Sequence, residues 1–139
     1  MFLDTIFVGD IKIPNQAIGV ANQIDIPLLD DVEWDGIMGL AYPNKDLLER
    51  EIDPVFDNIM KQNILTKKGE KNEFAYYLGN DVGIVTFGTP DKALMKNPDD
   101  EIAWVPISER KYWSVELLDF KGVYTEEDGT EKIVAENKK

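Results

Sequence analysis

The fold of this chain is decided by residues 35–43, which read Asp35-Gly36-Ile37-Met38-Gly39-Leu40-Ala41-Tyr42-Pro43. Two glycines lie three residues apart among apolar side chains. A glycine inside a strand permits another backbone to approach closely, or permits a bend. We therefore predict a short apolar strand over residues 35–40 that passes through a crowded part of the fold.

Segments typical of β-strands lie on both sides of this stretch. Residues 5–8 are rich in β-forming side chains, Gly9-Asp10 is a turn signal, and residues 11–13 alternate, which together predict a hairpin. Two further strand pairs are predicted over residues 74–78 with 84–87 and residues 102–107 with 112–120. Residues 126–129 are expected to form a turn in an acidic tail.

The clearest helix is predicted over residues 54–62. Pro54 suits the first helical position because its missing N–H costs nothing there, and Asp53 can act as the cap. Apolar residues at helical spacing form a stripe that contains Val55, Phe56, Ile59 and Met60. Residues 45–51 are expected to form a shorter helical turn. The predicted fold class is therefore mainly β with one or two short helices.

Several segments of the chain, in order, resemble segments of the pepsin-like aspartic proteases. Residues 35–43 are similar to a segment late in the N-terminal lobe of those enzymes. The other similar segments are residues 4–9, 54–59, 73–78, 83–88, 104–107 and 112–113. The match fades after Gly122, in an acidic tail that ends in lysines.

The resemblance implies a partial pepsin-like bilobal acid-protease fold. Residues 1–92 would form the later part of the N-terminal lobe, and residues 93–139 the inter-lobe connection and the start of the C-terminal lobe. Enzymes of this family cut with two aspartates, each in an Asp-Thr-Gly motif, and no Asp-Thr-Gly occurs in these 139 residues. The chain is thus expected to be an internal segment, between the flap and the second catalytic aspartate, with no catalytic residue of its own.

Composition excludes several classes of function. The formal net charge of −12 argues against binding to nucleic acid or to anionic lipid, both of which favour basic surfaces. No apolar run approaches the roughly 20 residues of a membrane helix. The chain has no cysteine and no histidine, which excludes thiol and imidazole catalysis and the usual zinc ligands within it. The acidic surface suits work at low pH, or simply gives solubility.

Candidate substrate-binding residues come from the resemblance. It implies that Leu28, Leu29, Trp34 and Ile37 line hydrophobic pockets on the unprimed side of a cleft, and that Tyr112 lies on the primed side. Trp34 replaces the phenylalanine commoner in the family, which would make its pocket shallower or shift its shape. Any of these residues could instead belong to the core, since buried aromatic side chains dominate cores.

Two acidic segments offer oxygen ligands that calcium could use. They are residues 99–101 and residues 126–129. Neither has the alternating ligand spacing of an EF-hand loop, so solvated turns are expected and no metal site is predicted. An aspartic protease needs two carboxylates close enough to share one proton. The aspartates of this chain lie mostly in loops, and none is predicted to be catalytic.

The sequence predicts a segment of an aspartic endopeptidase that hydrolyses peptide bonds between bulky apolar residues, inactive by itself and without a cofactor. Its expected partners are the polypeptide substrate and the remaining segments of the parent enzyme. Met1 to Asp4 do not resemble a signal peptide, so a parent in the secretory pathway, vacuolar, lysosomal or extracellular, would carry its targeting segment upstream. The alternative is a non-enzymatic acidic β-rich module that binds protein or carbohydrate.

Overall fold

The computed structural model describes residues 1–27 and 32–138, which are mainly β with short helices. They form two compact units, Met1–Ile102 and Ala103–Lys139. The described strands pair two by two: β1 (Phe2–Val8) with β2 (Ile11–Ile18), β3 (Phe74–Leu78) with β4 (Gly83–Phe87), β5 (Glu109–Arg110) with β6 (Trp113–Ser114), and β7 (Asp119–Thr125) with β8 (Glu131–Lys138). The described α-helices are α1 (Lys45–Glu49) and α2 (Val55–Lys61), and short 3₁₀ helices lie at Thr66–Lys68 and Lys92–Leu94. The predicted lobe boundary at residues 92 and 93 concerns the complete protein and stays a prediction.

The β1–β2 hairpin contains a β-bulge. The strands pair antiparallel from Phe2 with Ile18 to Val8 with Ile11, and Gly9 supplies the positive φ of the turn, as the sequence predicts. The register shifts between Asp4 and Ile6, so that Thr5 faces two residues of β2, Pro14 and Asn15. Asn15 has a φ of 53°, in the left-handed region that asparagine tolerates better than most residues.

Helix α2 packs on β2 and begins close to the predicted position. Pro54 is its N-cap residue and makes no side-chain cap hydrogen bond. The prediction that Asp53 caps the helix is wrong, because its carboxylate pairs with Lys61 across two turns, at 2.7 Å between Oδ2 and Nζ. In α1 the cap is Asn44, whose Oδ1 accepts a hydrogen bond from the backbone N–H of Leu47 at 2.9 Å.

The core of the first unit lies between β2, α2 and the β3–β4 hairpin. Its buried apolar residues are Ile11, Ile13, Phe56, Ile59 and Leu65. The ring of Phe56 packs edge-on against Phe74, with centroids 5.0 Å apart, and lies 6.0 Å from Phe87. Since Phe74 and Phe87 are paired across β3 and β4, one helix residue ties that hairpin to the core.

The predicted strand over residues 35–40 is not present. This segment belongs to no described sheet, and a strand needs a neighbour to satisfy its backbone groups. A Cβ placed on Gly36 or Gly39 would meet nothing within 4 Å. The crowding that the glycines predict is therefore not provided by the described residues.

The second unit differs more from the sequence prediction. Residues 102–107 form no strand, and in residues 112–120 only two short pieces belong to strands. Pro106 lacks the N–H that a residue in a central strand would donate, which disfavours the predicted strand over residues 102–107. The β7–β8 hairpin was not predicted, although its turn at residues 126–129 was, and Gly129 N–H donates to the carbonyl of Glu126 at 2.9 Å.

Candidate functional site

A cavity of about 390 Å³ opens in the first unit beside residues 35–43. Its first wall is the end of β2 at residues 16–19, and its second is the segment of residues 37–39. The third wall is formed by residues 52–55, which lead into α2. Apolar side chains dominate these walls, which suits a site for an apolar group with a few polar atoms at its border.

A buried set of side-chain amides lies behind two of these walls. Gln16 is 3% exposed, and its Nε2 donates to the carbonyls of Ala17 and Asp53, both at 3.1 Å. Its Oε1 accepts a hydrogen bond from Asn58 Nδ2 at 3.0 Å, and Asn58 is 7% exposed. Gln62 donates to Asn58 Oδ1 at 2.7 Å and to the carbonyl of Pro14 at 2.8 Å. The amides thereby join the end of β2 to α2.

Two of the predicted substrate-binding residues, Ile37 and Trp34, lie in or shortly before the second wall of the cavity. Ile37 lines the cavity and is 85% exposed. Trp34 lies three residues earlier, is 47% exposed, and is not among the described residues that line the cavity. Neither is a core residue of this chain. Leu28 and Leu29 lie outside the described residues, so their assignment stays a prediction.

Tyr112 belongs to the second unit and lies at the turn between β5 and β6. Its side chain is 63% exposed, and the ammonium of Lys111 lies 5.6 Å from the centroid of its ring. An exposed aromatic ring with a cation beside it is compatible with a contact residue. Its assignment to a substrate site also stays a prediction.

The carboxylate of Asp57 lies in the first turn of α2, close enough to Asp53 to feel its charge. Partial burial raises the pKa of Asp57, and the negative charge of Asp53 raises it further. Asp53 in turn raises the pKa of Lys61, first by accepting a hydrogen bond from its ammonium. Asp57 is thus uncharged over a wider acid range than an ordinary aspartate, which favours the folded state at low pH.

We expect Asp57→Asn to stabilise the complete protein at neutral pH. Because the pKa of Asp57 is raised on folding, its contribution to stability is fully present below the unfolded pKa and is lost as the pH rises through the folded pKa. The uncharged amide of the variant avoids this loss of stability at higher pH. The melting temperature should therefore rise by on the order of 1–2 °C at pH 7, a small gain because solvent screens a partly exposed group.

The measurement is a pair of thermal melts of the complete protein, at pH 3 and at pH 7. Asp25→Asn, in an exposed loop, is the control for the change in net charge. A gain from Asp57→Asn that is equal at both pH values would contradict the assignment.

The two acidic segments are held as turns. Asn97 Nδ2 donates to Asp100 Oδ1 at 2.7 Å. In the other segment, the backbone N–H of Thr130 donates to Asp128 at 2.8 Å and lowers its pKa, and Lys132 pairs with Glu126 at 2.6 Å. Among the described residues, no group of three or more acidic, histidine or cysteine side chains is arranged to hold a metal ion.

Sequence reasoning missed the two buried amides, Gln16 and Asn58. Glutamine and asparagine are usually exposed, so the sequence suggested only that these two residues lie on the solvent side of the expected strand and helix. The available signal was Pro14-Asn15 inside a strand pattern, because a proline is confined to strand edges and bulges. A bulge at that point shifts the inward face of the strand by one residue.

The described residues form a mainly β protein with short helices, which is consistent with a partial pepsin-like fold. The model of the family described as "Eukaryotic aspartyl protease" matches residues 1–134. The chain therefore belongs to the eukaryotic aspartyl protease family. In the described residues, no helix has both the length and the apolar character needed to cross a membrane.

Curated relatives agree with this membership. Plasmepsin VII of Plasmodium falciparum (isolate NF54) is 42% identical over 123 residues, which are 87% of this chain and 27% of that protein. Plasmepsin VII of Plasmodium berghei (strain Anka) is 40% identical over 117 residues, 83% of this chain and 25% of that protein. Cathepsin D of Gallus gallus is 31% identical over 119 residues, 82% of this chain and 28% of that protein. The chain thus spans about a quarter of the length of these relatives.

Proposed function

We propose that this chain forms the non-catalytic part of an aspartic endopeptidase that hydrolyses peptide bonds between bulky apolar residues. The observation that carries the proposal is the family match over residues 1–134 of a chain in which no Asp-Thr-Gly occurs. The catalytic pair is then supplied by other residues of the protein. In such a pair the two carboxylates share one proton, so that one acts as base and the other as acid.

The open space at Gly36 supports the need for further residues. Gly36 does not line the cavity, and it leaves space for a backbone to approach that none of the described residues fills. Residues 35–40 also have no strand neighbour in the described sheets. In this proposal, backbone from elsewhere in the protein lies against this segment and completes the cleft.

The role of this chain in the reaction is to bind and orient the polypeptide. Ile37 borders an apolar cavity, and Trp34 presents about half of its surface nearby, so both are available to apolar substrate side chains. We assign the same role to Leu28, Leu29 and Tyr112. An apolar wall excludes water from the bond that is cut, which strengthens the electrostatic interactions of the catalytic pair.

The site of action follows from the same proposal. A net charge of −12 disfavours nucleic acid and anionic lipid as partners and suits an acidic compartment, where many carboxylates are neutral. We propose that the complete enzyme works in the secretory pathway, in a vacuole or lysosome, or outside the cell. Its substrate is a polypeptide, and its chemistry uses no cofactor.

The test of this proposal is the coding sequence that flanks these residues. We expect an Asp-Thr-Gly on each side, one encoded upstream of residue 1 and one encoded downstream of residue 139. Asn in place of Asp at either motif should abolish peptidase activity of the complete protein. If neither flank encodes the motif, the proposal fails, and a non-enzymatic acidic binding module becomes the better account.

A further inference from the structure

The β-bulge in β2 turns a glutamine into the interior. Along an unbroken strand, alternate residues share a face, so residues 11, 13 and 15 would point into the core. Because Pro14 and Asn15 together face Thr5, the alternation shifts by one residue after Ile13. The burial follows this shift: Ile11 and Ile13 are buried, and Gln16 is the next buried residue. A bulge re-aims a side chain in this way, and bulges are enriched beside active sites.

The amide of Gln16 is fully used once it is inside. Its two donated hydrogen bonds reach the carbonyls of Ala17 and Asp53, and its oxygen accepts from Asn58. Asn58 Nδ2 also lies 3.4 Å from the carbonyl of Pro14, which is in the bulge itself. Among the described side chains, no buried nitrogen or oxygen lacks a hydrogen-bond partner. We call the side chains of Gln16 and Asn58 the amide clamp.

The clamp connects two walls of the cavity. Ala17 belongs to the wall at residues 16–19, and Asp53 belongs to the wall at residues 52–55, directly before Pro54. No backbone ladder joins these walls, because β2 pairs with β1 and α2 is a helix. Apolar packing alone would allow the walls to slide, whereas a satisfied network of directional hydrogen bonds fixes one arrangement.

We infer that Gln16 and Asn58 are positioning residues for the apolar cavity that Ile37 borders, and that they set which substrate side chains it accepts. This inference rests on the proposed peptidase function. Asn58 does not line the cavity, so it acts through Gln16, whose Oε1 accepts its hydrogen bond. A change at Asn58 therefore alters the cavity without removing any group that a substrate touches.

The experiment compares Asn58→Leu with Gln62→Leu in the complete protein. Asn58→Leu removes the hydrogen bonds that Asn58 donates to Gln16 Oε1 and to the carbonyl of Pro14, and the one that it accepts from Gln62. Gln62→Leu removes the two hydrogen bonds that Gln62 donates, to Asn58 Oδ1 and to the carbonyl of Pro14, and leaves the bond to Gln16 Oε1 in place. The readout is the ratio of kcat/KM for two peptides that differ only in leucine or alanine beside the cut bond. We expect Asn58→Leu to change this ratio about tenfold. Gln62→Leu should lower the melting temperature and leave the ratio unchanged.

Two further measurements test the inference, the pH dependence of a second variant at Asn58 and an NMR resonance of Ile18. If Asn58→Leu does not fold, Asn58→Asp takes its place, because a neutral carboxylic acid can donate one hydrogen bond to Gln16 Oε1. Its ratio should approach that of the unmodified protein at low pH and depart from it at higher pH. A ratio that stays the same at both pH values would overturn the inference, as would equal ratios in Asn58→Leu and Gln62→Leu.

The NMR measurement does not depend on peptidase activity. The Ile18 methyl resonance reports on the first wall of the cavity, and it should shift in Asn58→Leu but not in Gln62→Leu. If the unmodified complete protein cuts no peptide, the proposed function fails, and this comparison still decides whether the clamp positions the wall. An Ile18 methyl that moves in neither variant, or equally in both, would show that the amides only stabilise the fold.

Discussion

The isolated 139-residue chain should associate or partly unfold in solution at neutral pH, despite its net charge of −12. Among the residues that the structure describes, five form the buried apolar core, while many large apolar side chains are exposed, among them Ile37 at 85%, Leu78 at 80% and Val134 at 70%. Every described sheet has two strands, so each strand has an open edge that can pair with another chain. Exposed apolar area of this kind promotes association.

Sedimentation velocity and calorimetry test this expectation, with a matched pair of variants. Val134→Lys places a charge in the β7–β8 hairpin, where lysine hinders strand pairing, and should reduce association. Val20→Lys adds the same charge at an exposed valine outside the described strands, and should have the smaller effect. A monomer with a sharp cooperative melt would contradict the expectation and favour an independent β-module.

Trp34→Ala in the complete enzyme should change substrate preference more than stability. If Trp34 contacts an apolar substrate side chain, its loss should lower kcat/KM most for substrates with large groups at that position. One or two methylenes in an apolar pocket are worth about 1–3 kcal/mol, so the ratio for large over small side chains should fall roughly tenfold. Loss of a core tryptophan instead costs about 3–5 kcal/mol of stability, and Trp34 is 47% exposed in this chain.

The measurement is kcat/KM on a paired peptide series beside a thermal melt. Trp104→Ala is the matched control, because Trp104 is 72% exposed and lies outside the described strands and helices. It should leave the substrate ratio unchanged. A ratio unaffected by Trp34→Ala, together with a large fall in melting temperature, would assign Trp34 to the core of the complete protein.

Local signals predicted the parts of the fold whose partners are close in sequence. Gly9-Asp10 between the β-prone residues 5–8 and the alternating residues 11–13 predicted the first hairpin, and residues 74–78 with residues 84–87 predicted the second. Pro54 and the apolar stripe after it located α2 to within one residue at each end. In each case the turn or the helix start is determined by neighbouring residues, so one short window carries the information.

The remaining features depend on partners that a short window does not contain. Residues 35–40 have a strand-like pattern, but a strand forms only where another backbone pairs with it. The burial of Gln16 depends on the bulge and on Asn58, which is 42 residues away. For the site, the structure shows Ile37 beside an apolar cavity, and the substrate-binding role that the resemblance implies for it stays a proposal.

The central claim is that this chain belongs to an aspartic endopeptidase but carries no catalytic group. The most direct test is cleavage of a peptide with bulky apolar residues at acid pH, measured for the purified 139-residue chain and for the complete protein. We expect no cleavage by the chain at any pH, and pepstatin-sensitive cleavage by the complete protein. Pepstatin-sensitive cleavage by the highly purified chain alone would contradict the account.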